Sequence, residues 1–176
     1  MIRKILLAIV LIFLITGIGF AFQNEPDGFR ELKWGDAPTE DMRFIRQVAE
    51  IKYSMNGNYY DKWILDEKFN IGSAKLSNIF YLFNLYSNQF YRVDLYFNGK
   101  NNFEILKIIC EGKYGEPTYK SKNSLSWVGD KTKIALYCNS EDEGEKGIFF
   151  IQSMKIHSES PEDNKQKELE KAKEDF

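Results

Sequence analysis

Residues 79–99 read Ile79-Phe80-Tyr81-Leu82-Phe83-Asn84-Leu85-Tyr86-Ser87-Asn88-Gln89-Phe90-Tyr91-Arg92-Val93-Asp94-Leu95-Tyr96-Phe97-Asn98-Gly99. Ile79, Tyr81 and Phe83 alternate with Phe80 and Leu82. A turn follows around Ser87-Asn88. The next run sends Tyr91, Val93, Leu95 and Phe97 one way and Arg92, Asp94 and Tyr96 the other. Period-two alternation on both sides of a short polar turn predicts an antiparallel β-hairpin. Asn98-Gly99 ends it, because both residues tolerate positive φ.

Outward from the hairpin, Phe103, Leu106, Ile109 and Cys110 share one face of a helix expected from about Asn102 to Tyr114. Gly115 stops it and Pro117 prevents its continuation. Short strands are expected at Leu125–Val128, Lys133–Cys138 and Gly147–Ser153, with turns at Gly129-Asp130 and in the acidic loop Ser140–Lys146. Upstream, Tyr59 to Leu65 is aromatic-rich and reads as a strand. Thr39-Glu40-Asp41 offers a cap and two acids, and Met42, Ile45, Val48 and Ala49 follow at helical spacing, which predicts a first helix there. The expected fold is α+β: a two-layer domain with a mainly antiparallel sheet and two helices on one face.

The N-terminus reads differently. Arg3 and Lys4 precede residues 5–22, a run without charge, and Gly19 and Ala21 place small residues two apart near its end. This is the pattern of a signal peptide over residues 1–21, cut after Ala21. The alternative is an uncleaved inner-membrane anchor over residues 5–22, since about 18 apolar residues just reach across a bilayer core. Either way the expectation is export to the periplasm or beyond, with membrane contact only through this segment if it is retained. Residues 22–156 then form a single domain. Residues 157–176 are almost wholly polar and predict a flexible tail; a partner-docking helix is the alternative, with Glu168–Lys171 and Glu170–Lys173 at i,i+3 spacing.

Composition removes several classes. With 43% hydrophobic residues the chain is no disordered polymer, and a mean hydropathy of -0.44 with one long apolar run argues against a polytopic membrane protein. A net charge of -2 gives no electrostatic support for nucleic-acid binding. One His and two Cys leave too few ligands for a four-ligand zinc site, and no metal or cofactor is expected.

The segment Gly28-Phe29-Arg30-Glu31-Leu32-Lys33-Trp34-Gly35 resembles the opening of a family of small exported bacterial domains of uncharacterised function. Ile79–Phe83, the ending Lys113-Tyr114-Gly115-Glu116-Pro117 and the turn Ser126-Trp127-Val128-Gly129-Asp130-Lys131-Thr132 extend the resemblance over most of residues 28–153. It implies export and carries no activity to transfer. A looser similarity is to the SmpA/OmlA envelope-assembly lipoproteins and to β-lactamase-inhibitor-like folds; the lipidated Cys of the lipoproteins is missing here.

No catalytic residue is assigned. His157 lies at the edge of the polar tail, and no Gly-x-Ser-x-Gly elbow is present. Asp36, Asp61, Asp94 and Asp130 are explained by turns, caps and a polar strand face, although a pair of them acting in hydrolysis is the least favoured alternative. The loop Glu141-Asp142-Glu143-Gly144-Glu145 lacks EF-hand spacing and reads as a solvated turn. Packing of the second helix on that strand would bring Cys110 and Cys138 within range of a disulfide, closing a loop worth on the order of 3 kcal/mol; the alternative is that both are small buried hydrophobes.

The surface reading rests on aromatics. With helices on one face only, Phe80, Leu82, Phe90 and Tyr96 are left as an exposed patch on the other, a surface for another envelope protein. The alternative is that residues 23–37, with Phe29, Leu32 and Trp34, fold over it. A cleft at Trp34 or Trp63 would instead suit a small ligand. The expected function is a non-enzymatic, exported protein-interaction module.

Overall fold

The computed structural model describes residues 22–50, 55–62, 68–139, 146–158 and 161–174. The expected leader with Gly19 and Ala21, Trp63, and the acidic loop up to Glu145 lie outside the described residues. No helix among the described residues is long and apolar enough to cross a membrane.

The strands are β1 (Gly28–Phe29), β2 (Leu32–Lys33), β3 (Met42–Glu50), β4 (Met55–Lys62), β5 (Asn70–Ile71), β6 (Ala74–Asn84), β7 (Phe90–Asn98), β8 (Tyr119–Lys120), β9 (Ser124–Val128), β10 (Thr132–Asn139) and β11 (Lys146–Ser153). The helices are α1 (Lys100–Tyr114), α2 (Met154–His157) and α3 (Pro161–Glu174). β1 and β2 form a small hairpin. The main sheet runs β3-β4-β6-β7-β11-β10-β9-β8, with β5 beside β6. Each pairing is antiparallel. The architecture is α+β, as expected.

The β6–β7 hairpin forms as its alternation predicts. Asn84 Oδ1 accepts from Tyr86 N at 2.8 Å and Ser87 N at 3.1 Å, so a side chain closes the turn, and Asn88 takes φ 52°. Gly99 at φ 82° releases the chain from β7 into α1.

α1 covers one face of the sheet. Phe103, Leu106, Cys110 and Tyr114 pack with Ile79, Tyr81, Val93, Leu95, Ile134 and Leu136 in one buried cluster. Trp127 is completely buried there and donates Nε1–H to Gly115 O at 2.8 Å, tying β9 to the end of α1. The Phe97 ring packs against Gly147, where a Cβ would sit 2.0 Å from a ring carbon; strand glycines mark such close approaches.

The structure bears on four expectations. The first is the helix after Thr39, which is strand β3. Thr39 Oγ1 donates to Asp41 Oδ1, and Met42 N closes a turn on Thr39 O at 3.0 Å. Phe44 then meets Tyr60 of β4 edge-to-face at 5.5 Å. A register shift between Phe44 and Arg46 breaks strict alternation, which is why the apolar positions mimicked a helical period. Pairing with β4 overrides the local pattern. The sheet therefore has one helix, α1, on its core face, and the short α2 sits on the other face instead of a second helix joining α1.

The second concerns Phe90 and Leu82. The ladder pairs Leu82 with Arg92 but Phe83 with Phe90, so Tyr91 is an extra residue in a bulge. Phe90 turns into the α1-side core against Phe83 (5.5 Å), Tyr81 (5.9 Å) and Trp34 (5.0 Å). Tyr91, expected in that core, instead joins Leu82 and Ile156 on the opposite face. Leu82 and Phe90 are both fully buried.

The third concerns the cysteines. Cys110 and Cys138 lie in the same core but are joined by no disulfide. Burial pushes the Cys110 thiol up to about 12, so it stays protonated and behaves as a small apolar side chain. The fourth is the tail, where the helical one of its two readings holds over Pro161–Glu174. Pro161 at its start and Glu162 and Asp163 in its first turn suit a helix N-terminus.

Residues 22–36 clamp the rim of the core. Phe29 packs on Tyr81 and Leu32 is buried. Gly35 N donates to Phe90 O at 2.9 Å, and Glu25 Oε1 accepts from Lys131 N and Thr132 N at 2.6 and 2.5 Å. The segment thus closes the edge of the α1-side core and leaves Phe80 and Tyr96 uncovered by Phe29 and Leu32.

Candidate functional site

The face of the sheet away from α1 is organised in rows by the ladder. One row reads Leu82, Arg92, Gln152, Lys133 across β6, β7, β11 and β10. The next reads Phe80, Asp94, Phe150, Ala135, and the third Asn78, Tyr96, Ile148, Tyr137.

A buried ion pair lies at the centre. Arg92 Nε donates to Asp94 Oδ1 at 2.5 Å, and Arg92 Nη1 donates to Gln152 Oε1 at 3.0 Å. The guanidinium stands 3.9 Å from the centroid of the Phe150 ring, a cation–π contact. Asp94 is 0% exposed and Arg92 7%. Among the described residues, Asp94 Oδ2 has no hydrogen-bond partner. Burial raises the Asp94 carboxyl above its usual range, with Arg92 pulling the other way. Burial, reinforced by Asp94, raises Tyr96 as well.

Two ends flank this centre. At one, α2 seals the face. Ile156 packs on Leu82 and Tyr91, Asn84 Nδ2 donates to Ile156 O at 2.9 Å, and His157 stacks on Tyr91 with ring centroids 5.5 Å apart. At the other end aromatic groups reach solvent. Phe80 and Tyr96 meet edge-to-face at 5.7 Å, both half-buried, and Tyr137, 39% exposed, stacks on Phe150 at 6.2 Å. Of the expected patch, Phe80 and Tyr96 stand together here, while Leu82 lies under α2 and Phe90 is on the other side of the sheet. Trp34 lies at the rim, its Nε1 donating to Pro26 O at 3.0 Å.

Sequence reasoning placed Arg92 and Asp94 on a solvated strand face. The signal against that was present in Phe80 and Leu82 of the facing strand and in Ile148-Phe149-Phe150-Ile151 of β11, apolar on both faces. Tyr137, Ile148 and Phe150 were missed because no partner strand could be assigned to them. The candidate acids separate: Asp94 is buried in the sheet, Asp36 Oδ2 accepts from Lys33 N at 2.8 Å in a turn, and Asp130 is exposed between β9 and β10. The Asp61 side chain lies outside the described residues. Among the described residues, no three His, Cys, Asp or Glu side chains gather to hold a metal. No protein-family model, curated protein or solved structure matches the chain.

Burial, with Arg92 and Lys133 nearby, holds His157 below its ordinary 6.5. The folded state therefore prefers the neutral imidazole. Its contribution to stability is complete above pH 6.5 and is lost as pH falls from there through the lowered folded value. Asp94 acts in the opposite sense, because a raised carboxyl favours the folded state as it protonates. The urea midpoint of the wild type should fall between pH 7 and the lowered His157 value, and His157→Gln should flatten that decline. An unchanged decline in the variant would remove His157 as its source.

Proposed function

We propose that the chain is an exported, non-enzymatic domain of the cell envelope that docks another envelope protein on the open end of this sheet face. The observation that carries the reading is the cluster of Phe80, Tyr96, Ile148 and Tyr137, apolar and partly exposed, beside a buried ion pair that holds its geometry. Side chains of this type, gathered on the central strands of a sheet face, favour a protein surface over solvent. Export is supported by the basic and apolar segment before Phe22 and by the resemblance of Gly28–Gly35 to exported domains. The periplasm or the exterior follows if the leader is cut, and the inner membrane if it stays.

A photo-crosslinking side chain at position 137 tests the docking. It should trap one discrete envelope protein, and the same side chain at position 108, on the exposed surface of α1, should not. Phe80→Ser/Tyr96→Ser should abolish the product, and in the product formed without them the chain should begin at Phe22 or be membrane-bound. Equal products at both positions, an unaffected double variant, or recovery of an unprocessed chain from the cytosol would each overturn the reading.

A further inference from the structure

A second concave surface lies at the rim, on separate residues. It encloses about 460 Å³ and is lined by Trp34, Gln89, Asp130, Lys131, Lys155 and Lys167, among others. Four parts of the chain far apart in sequence converge on it: the exit of β2, the β6–β7 turn, the β9–β10 turn, and helices α2 and α3. The volume falls in the range of small-molecule sites, about 300–1,000 Å³.

Two features define what the cleft takes. The first is Trp34, whose ring is fixed by Phe90 behind it and by the Nε1 bond to Pro26 O. A preset indole offers a flat apolar surface at little entropic cost. The second is charge. Among the lining residues, the ammonium groups of Lys131 and Lys155 outnumber the one carboxylate, that of Asp130, whereas the whole chain carries a net charge of -2. The lining thus holds more basic than acidic side chains on a chain that is acidic overall. Low-dielectric walls concentrate such a field and draw in counter-charged ligands. Lys131 and Lys155 are also held in relation to each other, because Met154 N donates to Lys131 O at 2.8 Å and joins the turn to the start of α2.

We infer that this cleft binds a small organic anion with a flat apolar body, an aromatic carboxylate being the simplest case. The flat part lies on Trp34, and the carboxylate faces the ammonium groups of Lys131 and Lys155. The inference stands apart from the docking surface, since it uses no residue of the Phe80–Tyr137 cluster.

The probes are 2-naphthoate and its cationic counterpart 2-naphthylmethylamine, titrated into the chain as isolated from cells. The readout is the indole Nε1–H resonance of Trp34. Naphthoate should shift it saturably and the amine should not. Lys131→Glu/Lys155→Glu should weaken naphthoate binding by about tenfold or more, one such factor being the effect of a single lost charge-assisted contact. Lys131→Arg/Lys155→Arg should retain it, which separates charge from folding. Absence of saturation, equal response to both probes, or unchanged affinity after charge reversal would each overturn the inference.

Discussion

Trp127→Ala should lower the unfolding free energy by about 3–5 kcal/mol, as expected when a large aromatic is removed from a packed core. Trp127 is 0% exposed, and its ring centroid is 6.2 Å from that of Tyr114. Its indole also donates to Gly115 O, the residue that ends α1 at φ 79°. The substitution therefore opens a cavity and removes a partner from a helix-terminal carbonyl at once. Trp127→Phe separates the two, keeping most of the volume and losing the hydrogen bond, and should cost about 1–2 kcal/mol for the bond with a smaller packing loss. Urea unfolding followed by far-ultraviolet circular dichroism measures both. A loss below about 1 kcal/mol for the alanine variant would mean that β9 does not anchor α1.

Arg92→Met should be comparably severe at neutral pH, about 3–5 kcal/mol, because it leaves the Asp94 carboxylate buried without its cation. The defect should be pH-dependent with a definite sign. Arg92 is the group that pulls the Asp94 carboxyl down against burial. Without it the folded value rises further, so the folded variant binds a proton that the unfolded chain, at the ordinary 3.8, does not. The variant should gain stability relative to wild type as pH falls from 7 toward 4. Arg92→Met/Asp94→Leu removes both charges and should recover most of the loss, since apolar replacement of a buried pair is often neutral or stabilising. A single variant whose penalty is the same at pH 7 and pH 4.5 would show that Asp94 is not the group left stranded.

The two predictions concern opposite faces of one sheet, and the faces differ in how legible they were. The α1-side core could be read from the chain. Phe103, Leu106 and Cys110 recur at helical spacing, and Ile79, Tyr81, Val93 and Leu95 alternate, so each residue announced its own orientation. The opposite face could not be read that way. Arg92 and Asp94 look like solvated strand residues until Phe150 and Gln152, some sixty positions later, are placed beside them. The bulge at Tyr91 moved Phe90 and Tyr91 to the faces opposite those that strict alternation assigns. A single extra residue inverts every assignment on its far side, and nothing local in Gln89-Phe90-Tyr91 marks it.

The rim cleft lies further still from local reading. Trp34 was recognisable as a ligand-facing candidate, but the lysines around it were scattered through turns and helices as ordinary surface charges. They converge because residues 22–36 fold back on Phe90 and Lys131, and because α2 follows β11 directly.

By itself the amino-acid order determined the α+β class, the central hairpin, the helix from about Asn102 to Tyr114 and the turns around it. Those features depend on periodicity and on residues that favour particular backbone angles, which act over a few positions. Tertiary structure alone decided that Met42–Glu50 is a strand, that Cys110 and Cys138 lie unbonded in one core, that Asp94 is buried against Arg92, and that lysines from separate elements line one cleft with Trp34. These depend on which distant segments become neighbours, and the free energy of such contacts comes from desolvation and packing that no short window of sequence contains.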